Sequence, residues 1–272
     1  MTDLTDDITA VERSMRAVGA IRQVLHAVWA LSRAQLPLVE QAASAAATYQ
    51  SWVDGAADRV AGAPYASTAA RTLTVVFGPE RPYSSILARR IAEAIPDGDL
   101  GIVGQRLAET IGQSAETDRR VRFRCPGSVA HDDLHDVAFS VAKQILEHGR
   151  GAVVVVMHPL ERSAELARVP LIAARGLVDR PPETFSPLAR VVERAVVEAM
   201  TGRLAVAAAE ALRAEIRARM EAADTARRAC DERLVELEGA LHLGRRETIT
   251  RELLEIVAGG EAAALMTERS AP

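Results

Sequence analysis

Aromatic side chains are scarce in this sequence: four Phe, two Trp and three Tyr make up 3% of its 272 residues, although 49% are hydrophobic. A core must therefore be built mainly from Ala, Val, Leu and Ile, which suits closely packed helices. Lysine is nearly absent, since Lys143 is the only lysine among 33 basic residues. With 37 acidic residues the net charge is −4, which argues against a general nucleic-acid-binding protein.

Cysteine and long apolar runs are also lacking. Cys125 and Cys230 form no C-x-x-C pattern, so we expect reduced thiols in a cytosolic protein rather than a disulfide framework or a zinc centre. The longest apolar runs, such as residues 152–157, are far shorter than the ~20 residues of a membrane span. No apolar segment follows the acidic N-terminus, so we expect no secretory signal and no direct insertion into a membrane.

The signatures of several enzyme classes are missing. No G-x-x-x-x-G-K-[ST] loop is present, which excludes a P-loop nucleotide hydrolase. No G-x-S-x-G turn is present, which excludes the nucleophile of an α/β-hydrolase. Gly98, Gly101 and Gly104 are spaced unlike a dinucleotide-binding loop and are better interpreted as turns at strand ends.

Both ends of the chain have the spacing of a coiled coil. Residues 1–60 are predicted to form an N-terminal helix, in which apolar residues recur mostly at steps of three, four or seven and Pro37 is expected to introduce a kink. Residues 188–272 are predicted to form a C-terminal helix with a second such seam. The seam positions are Met15, Val18, Leu25, Leu212, Ile216, Met220, Leu234, Leu237 and Leu241. The pairs Glu215–Arg219, Asp224–Arg228 and Glu247–Arg251 are expected on the opposite, solvated face.

The middle of the chain, residues 61–187, alternates predicted strands and helices. Strands are predicted at 73–77, 100–103, 121–125 and 152–157, and helices at 84–95, capped by Ser84, and at 132–148. This alternation is typical of a mostly parallel sheet covered by helices. The sequence therefore predicts an α/β fold in which an antiparallel coiled coil of long N- and C-terminal helices brackets a small central α/β domain.

Two clusters of polar residues are candidates for chemistry. His131 and His135 lie four residues apart, which on one helix face, with Asp132 and Asp136, could hold a metal ion. The simpler interpretation is that these acids complement the dipole of a helix that begins there. Glu80 and Arg81 follow a predicted strand, where the sites of α/β enzymes often lie. We favour the non-catalytic interpretation of both clusters, and expect no metal, no cofactor and no active site of its own.

The end of the chain resembles a known family. Residues 248–263, TITRELLEIVAGGEAA, are similar to the C-terminal signature A-I-T-x-E-x-x-E-I-V-x-G-A of the gamma subunit of F-type ATP synthases. Arg245 falls where that family has the Arg of its A-R-Q segment. The matching residues are Ile249, Thr250, Glu252, Glu255, Ile256 and Val257, and upstream Arg219, Met220 and Ala222.

The resemblance implies a mechanical function. In that family the two long helices form the central rotor stalk, which couples rotation of the membrane c-ring to ATP synthesis or hydrolysis at the beta subunits. The implied partners are the alpha and beta subunits of the catalytic hexamer, the epsilon subunit and the c-ring. The implied location is the cytoplasmic side of the inner (plasma) membrane, as a peripheral subunit. Arg245, Arg246, Arg251 and Glu252 are the candidates for contact with a beta subunit, the other interpretation being a solvated helix face.

The beginning of the chain departs from the family. Met15, Val18, Val24, Ala27 and Leu36 keep its apolar positions, but Ala20, Ile21 and Gln35 replace an Asn, a Thr and a Lys. These departures favour a divergent member, of the kind found in the alternative, ion-pumping N-ATPases. They leave two other hypotheses open: a stand-alone coiled-coil adaptor or assembly factor derived from the family, and a small α/β enzyme with helical arms.

Overall fold

A computed structural model describes residues 2–61, 64–65, 71–160, 165–171, 174–175 and 183–269. Its contacts divide the chain into two units. The sheet unit comprises Trp29–Ala222, and the helix-end unit comprises Met1–Val28 together with Ala223–Pro272.

Two long helices dominate the described residues. Helix α1 spans Thr2–Ala61 and helix α6 spans Leu188–Arg269. Pro37 lies inside α1, which continues as helix on both sides of it, and Pro37 is exposed. No described helix combines the length and the low charge that crossing a bilayer requires.

Ion pairs set an antiparallel register between α1 and α6. In the sheet unit Arg203 meets Asp54 at 2.9 Å and Arg217 meets Glu40 at 2.6 Å. In the helix-end unit Arg245 pairs with Glu12 at 3.0 Å, and Arg22 pairs with Asp231. In both units the number of the α1 residue falls as the number of its α6 partner rises, which is the order of antiparallel helices. Such partly exposed pairs add little stability each, but they specify which residues face each other.

The sheet unit contains a five-stranded sheet in the order β4-β3-β2-β5-β6. The strands are β2 (Thr72–Phe77), β3 (Asp99–Val103), β4 (Val121–Cys125), β5 (Val153–Pro159) and β6 (Leu166–Pro170). All neighbours pair in parallel except β6, which is antiparallel to β5. A separate antiparallel pair joins β1 (Pro64–Tyr65) to β7 (Ala174–Arg175).

The helices of this unit follow the strands. They are α2 (Ser85–Glu93), α3 (Gln105–Ile111), α4 (Ala115–Arg119) and α5 (Leu134–His148). One core cluster joins Phe77 and Val156 of the sheet to α5 and to residues of α1 and α6 such as Val39 and Leu204. A second cluster joins Val76 and Ile102 to α2 and α3. The long helices and α5 thus share one core with the sheet, and α2 and α3 share the other.

The predicted fold class is confirmed: long terminal helices accompany a central, mostly parallel sheet. Ser84 does not cap α2 as predicted, because its hydroxyl donates instead to the Arg81 carbonyl at 2.6 Å. Helices α3 and α4 and strand β6 were not predicted. The two helices have seven and five residues, too few for a helical period to be recognised. Strand β6 lies at the edge of the sheet and is largely exposed, so it lacks the compact apolar run by which the buried strands were recognised.

Candidate functional site

The predicted seam residues lie away from solvent in both units. In the sheet unit Leu212 and Ile216 are buried and Met220 is half-buried. In the helix-end unit Leu25 and Leu237 are buried. The half-buried members of that unit are Met15, Val18, Leu234 and Leu241.

The residues proposed to contact a beta subunit lie on α6 in the helix-end unit. All four, Arg245, Arg246, Arg251 and Glu252, are exposed. Arg245 is held by Glu12 of α1, so its guanidinium is positioned by the other helix. Arg246, Arg251 and Glu252 lie on the same stretch of α6.

The same end of α6 carries an exposed apolar face. Ile249, Leu253, Ile256 and Val257 follow each other at helical steps of four, three and one, and each is more than half exposed. Neighbouring Leu254 is exposed as well. Contiguous exposed apolar faces on protein surfaces are often sites of interaction with a partner.

Glu215 of α6 is a buried acid of the sheet unit, 1% exposed. One carboxylate oxygen accepts the backbone N–H of Glu80 at 2.6 Å, and the other accepts Arg81 Nε at 3.0 Å. Arg219, one turn along α6, is also buried and lies 3.9 Å from the same carboxylate. The prediction that Glu215 and Arg219 occupy a solvated face is therefore wrong, because this face of α6 packs on the strand ends of the sheet.

The Glu80 side chain extends this network across the sheet. One oxygen of its carboxylate accepts the N–H of Gln105, which begins α3, and the N–H of Gly127 after β4, both at 2.7 Å. Glu80 itself follows β2. A single side chain thus holds the segments that follow three neighbouring parallel strands, while its backbone N–H is bonded to α6. Both oxygens of Glu215 and one of Glu80 are engaged in structural bonds, which argues that the cluster connects α6 to the sheet and is not an acid–base catalyst. We call the cluster of Glu215, Arg219, Glu80 and Arg81 the joint.

Charge balance in this cluster depends on Glu215. Burial raises the pKa of Glu215, and the bonds from Glu80 N–H and Arg81 oppose that rise. Burial together with the nearby positive charge of Arg81 lowers the pKa of Arg219, and Glu215 opposes this. Two guanidinium groups therefore share one buried carboxylate, so loss of that carboxylate leaves like charges facing each other in a poorly solvated place.

A second polar attachment joins α6 to the sheet. Arg203 Nη1 donates to the carbonyls of Pro170 and Leu171 at the end of β6, each at 3.0 Å. Its Nη2 donates to Asp54 of α1 at 2.9 Å. Arg203 therefore ties α6, α1 and the antiparallel strand of the sheet together.

The histidine cluster does not form the predicted helix face. Residues 131–133 lie in a turn and α5 begins at Leu134, so His131 and His135 are not both on that helix. Asp133 holds the turn by accepting the N–H groups of Val129 at 2.8 Å and Ala130 at 3.3 Å. Across the described ranges no three His, Cys, Asp or Glu side chains are grouped as metal ligands.

His158 of β5 should make the stability of the sheet unit pH-dependent. The ring is buried, its Nδ1 lies 3.1 Å from the Pro159 carbonyl, and Glu210 and Arg213 of α6 are the charged groups near it. Burial lowers the pKa of His158 below its ordinary value. Below about pH 6.5 the unfolded chain therefore binds more protons, so the free energy of unfolding falls as the pH falls.

We expect His158→Gln to flatten this dependence, as measured by urea unfolding at about pH 7.5 and about pH 5.5. The wild-type chain should lose more stability between the two conditions than the variant. If the wild-type chain and the variant lost the same stability between the two pH values, titration of His158 would not be the cause of the pH dependence.

A groove of about 550 Å³ lies between the C-terminal half of α1 and the beginning of α6 in the sheet unit. It is lined by apolar and aromatic side chains together with Arg190, Arg194 and Glu198. Trp52 is 71% exposed there, and Tyr49 donates its hydroxyl to Glu198 at 2.9 Å. Aromatic residues and arginine are the residue types enriched where proteins bind each other.

The chain is similar to known proteins in both sequence and fold. The family model described as ATP synthase matches residues 7–263. No curated protein matches the sequence. A chain of the Euglena gracilis mitochondrial ATP synthase (OSCP/F1/c-ring, rotational state 3) is 14% identical with a TM-score of 0.64, covering 98% of this chain and 97% of that chain.

Two further solved structures are similar. In the rotor of the Euglena gracilis mitochondrial ATP synthase, rotational state 1, one chain is 12% identical with a TM-score of 0.63, covering 90% of this chain and 99% of that chain. In the central stalk and c-ring of the Tetrahymena thermophila mitochondrial ATP synthase, one chain is 14% identical with a TM-score of 0.50, covering 77% and 99%. At these identities the likeness establishes the fold.

Proposed function

The chain belongs to the ATP synthase family as a gamma-type, central-stalk subunit, and from this premise we propose how its two units work in a rotary complex. The helix-end unit turns inside the hexamer of alternating alpha and beta subunits. The sheet unit meets the c-ring and an epsilon subunit. Rotation of the ring is thereby coupled to synthesis or hydrolysis of ATP at the beta subunits.

The observation that supports the hexamer contact is the end of α6. Ile249, Leu253 and Ile256 expose an apolar face, which Arg246 and Glu252 flank on α6. Arg245 and Arg251 add charge at the same end of the helix. An apolar centre with a charged rim is the usual composition of a protein interface. We propose that Arg245, held by Glu12, is presented to a beta subunit.

The observation that supports a ring contact is the groove beside Trp52. A chain with few aromatic residues places Trp52 and Tyr49 at solvent in this groove, which Arg190 and Arg194 also line. Phe185, which precedes α6, is exposed as well. Exposing aromatic surface costs solvation free energy that a bound partner would recover. We propose that this surface faces the c-ring, at the cytoplasmic side of the plasma membrane, with the chain as a peripheral subunit.

The test is co-expression with the alpha and beta subunits of the same genome, followed by native mass spectrometry. We expect the full chain to be held as a single copy in the hexamer. A chain ending at Leu241 should keep the helical circular dichroism of its remaining residues, but should lose ATP-driven ion transport in the complete complex. This loss is expected because the truncation removes the apolar face and all four charged contact candidates.

Two results would contradict the proposal. A free monomer beside an intact hexamer would favour a stand-alone coiled-coil adaptor or assembly factor. A truncated complex that transports ions normally would show that torque is not exchanged at this end of α6.

A further inference from the structure

The face that α6 buries in the core of the sheet unit is apolar. It combines alanines with larger side chains: Ala207, Ala208, Ala211, Met200, Leu204, Leu212 and Ile216. Hydrophobic contact is non-directional, so it holds the helix against the sheet without specifying a particular bond between them. Hydrogen bonds and ion pairs add that direction.

Two residues of α6, Glu215 and Arg203, make directional bonds to the described part of the sheet unit. Glu215 binds Glu80 N–H and Arg81 beyond β2, and Arg203 binds the carbonyls of Pro170 and Leu171 at β6. At 1.5 Å per residue these positions are roughly 18 Å apart along α6. One attachment alone would leave a pivot, whereas two separated attachments fix the angle between helix and sheet.

We propose that Glu215 and Arg203 are positioning residues through which torque passes between the sheet and the helix pair, an inference that rests on the rotor function proposed above. A force acting on Glu215 is transmitted through Glu80 to the segments after β3 and β4, because the Glu80 carboxylate binds Gln105 N–H and Gly127 N–H. A force acting on Arg203 is transmitted to α1 through its bond to Asp54.

The experiment uses the complete complex reconstituted in lipid vesicles. ATP hydrolysis and ATP-driven uptake of protons and of sodium are measured together, to give ions transported per ATP. The variants are Glu215→Gln, Arg203→Met and the two combined. Asp224→Asn is the matched control, since Asp224 has two arginine partners, Arg227 and Arg228, that both lie on α6 itself.

We expect hydrolysis to continue while ions per ATP fall, and the combined variant should lose more than the two single losses together. In Glu215→Gln the Glu80 amide should exchange its hydrogen about tenfold faster, because a hydrogen bond to a charged acceptor is weakened. Asp224→Asn should change neither the ions transported per ATP nor the exchange rate of the Glu80 amide. A purely structural role would alter stability without lowering ions per ATP in the assembled complex.

The proposal is overturned if the combined variant keeps the wild-type ratio of ions to ATP although its Glu80 amide exchanges faster. If Glu215→Gln prevents assembly, Glu215→Asp, which keeps the charge on a shorter side chain, is measured instead. Failure of the proposed function itself has a different signature. In that case the wild-type chain is not captured by the hexamer, while the exchange difference at Glu80 still appears in the chain alone.

Discussion

Replacing Gly104 with alanine should destabilise the chain by about 3 kcal/mol or more. Gly104 precedes α3 with φ +114°, a conformation that side chains rarely adopt. An added Cβ would lie 2.5 Å from the Gly78 carbonyl oxygen and 2.8 Å from that of Pro79. Both obstacles are backbone atoms at the end of β2, so relief requires moving the chain segment that presents Glu80 and Arg81.

Gly151→Ala is the control for this effect. Gly151 also has a positive φ, +71°, but nothing lies within 4 Å of the place where a Cβ would be built. Only conformational strain is expected, of about 1 kcal/mol. Urea unfolding followed by circular dichroism compares the two variants with the wild-type chain. Equal destabilisation would mean that the close approach of the carbonyls at Gly104 has little energetic consequence.

The larger elements were predictable because their signals are long. The seam from Leu212 to Leu241 repeats over several helical turns, and the strand around Val75 is a compact β-branched run. The C-terminal signature from Ile249 to Val257 identified the family, which the match over residues 7–263 supports. Such signals survive local exceptions because many residues contribute to each of them.

The joint at Glu215 could not be predicted in the same way. An acid four residues before an arginine on a helix is most often a solvated pair, and that interpretation was wrong here. One signal did point the other way: Ala208, Leu212, Glu215 and Arg219 follow each other at helical steps of four, three and four, on one face of α6. Which partner this face meets depends on Glu80 and Arg81, more than a hundred residues away in sequence, and no local pattern connects them.

The second large effect concerns the stability of that joint in the full chain without partners. Glu215→Met should destabilise the sheet unit by about 3 to 5 kcal/mol, because removal of one partner leaves buried charge uncompensated. The substitution removes the carboxylate that faces the buried Arg219 and Arg81, so both guanidinium groups lose their counter-charge. It also leaves the Glu80 N–H without its acceptor. Urea unfolding of the full-length chain measures the loss.

Combining Glu215→Met with Arg219→Met should restore part of that loss. The second change removes the deepest unpaired cation and replaces it with an apolar side chain of similar length, and buried ion pairs can be exchanged for hydrophobic residues at little cost. The pair of variants should therefore be strongly non-additive, as expected for groups in direct contact. If Arg219→Met instead added its own destabilisation to that of Glu215→Met, Arg219 would be stabilised by something other than the Glu215 carboxylate. The joint would then consist of Glu215, Glu80 and Arg81 alone.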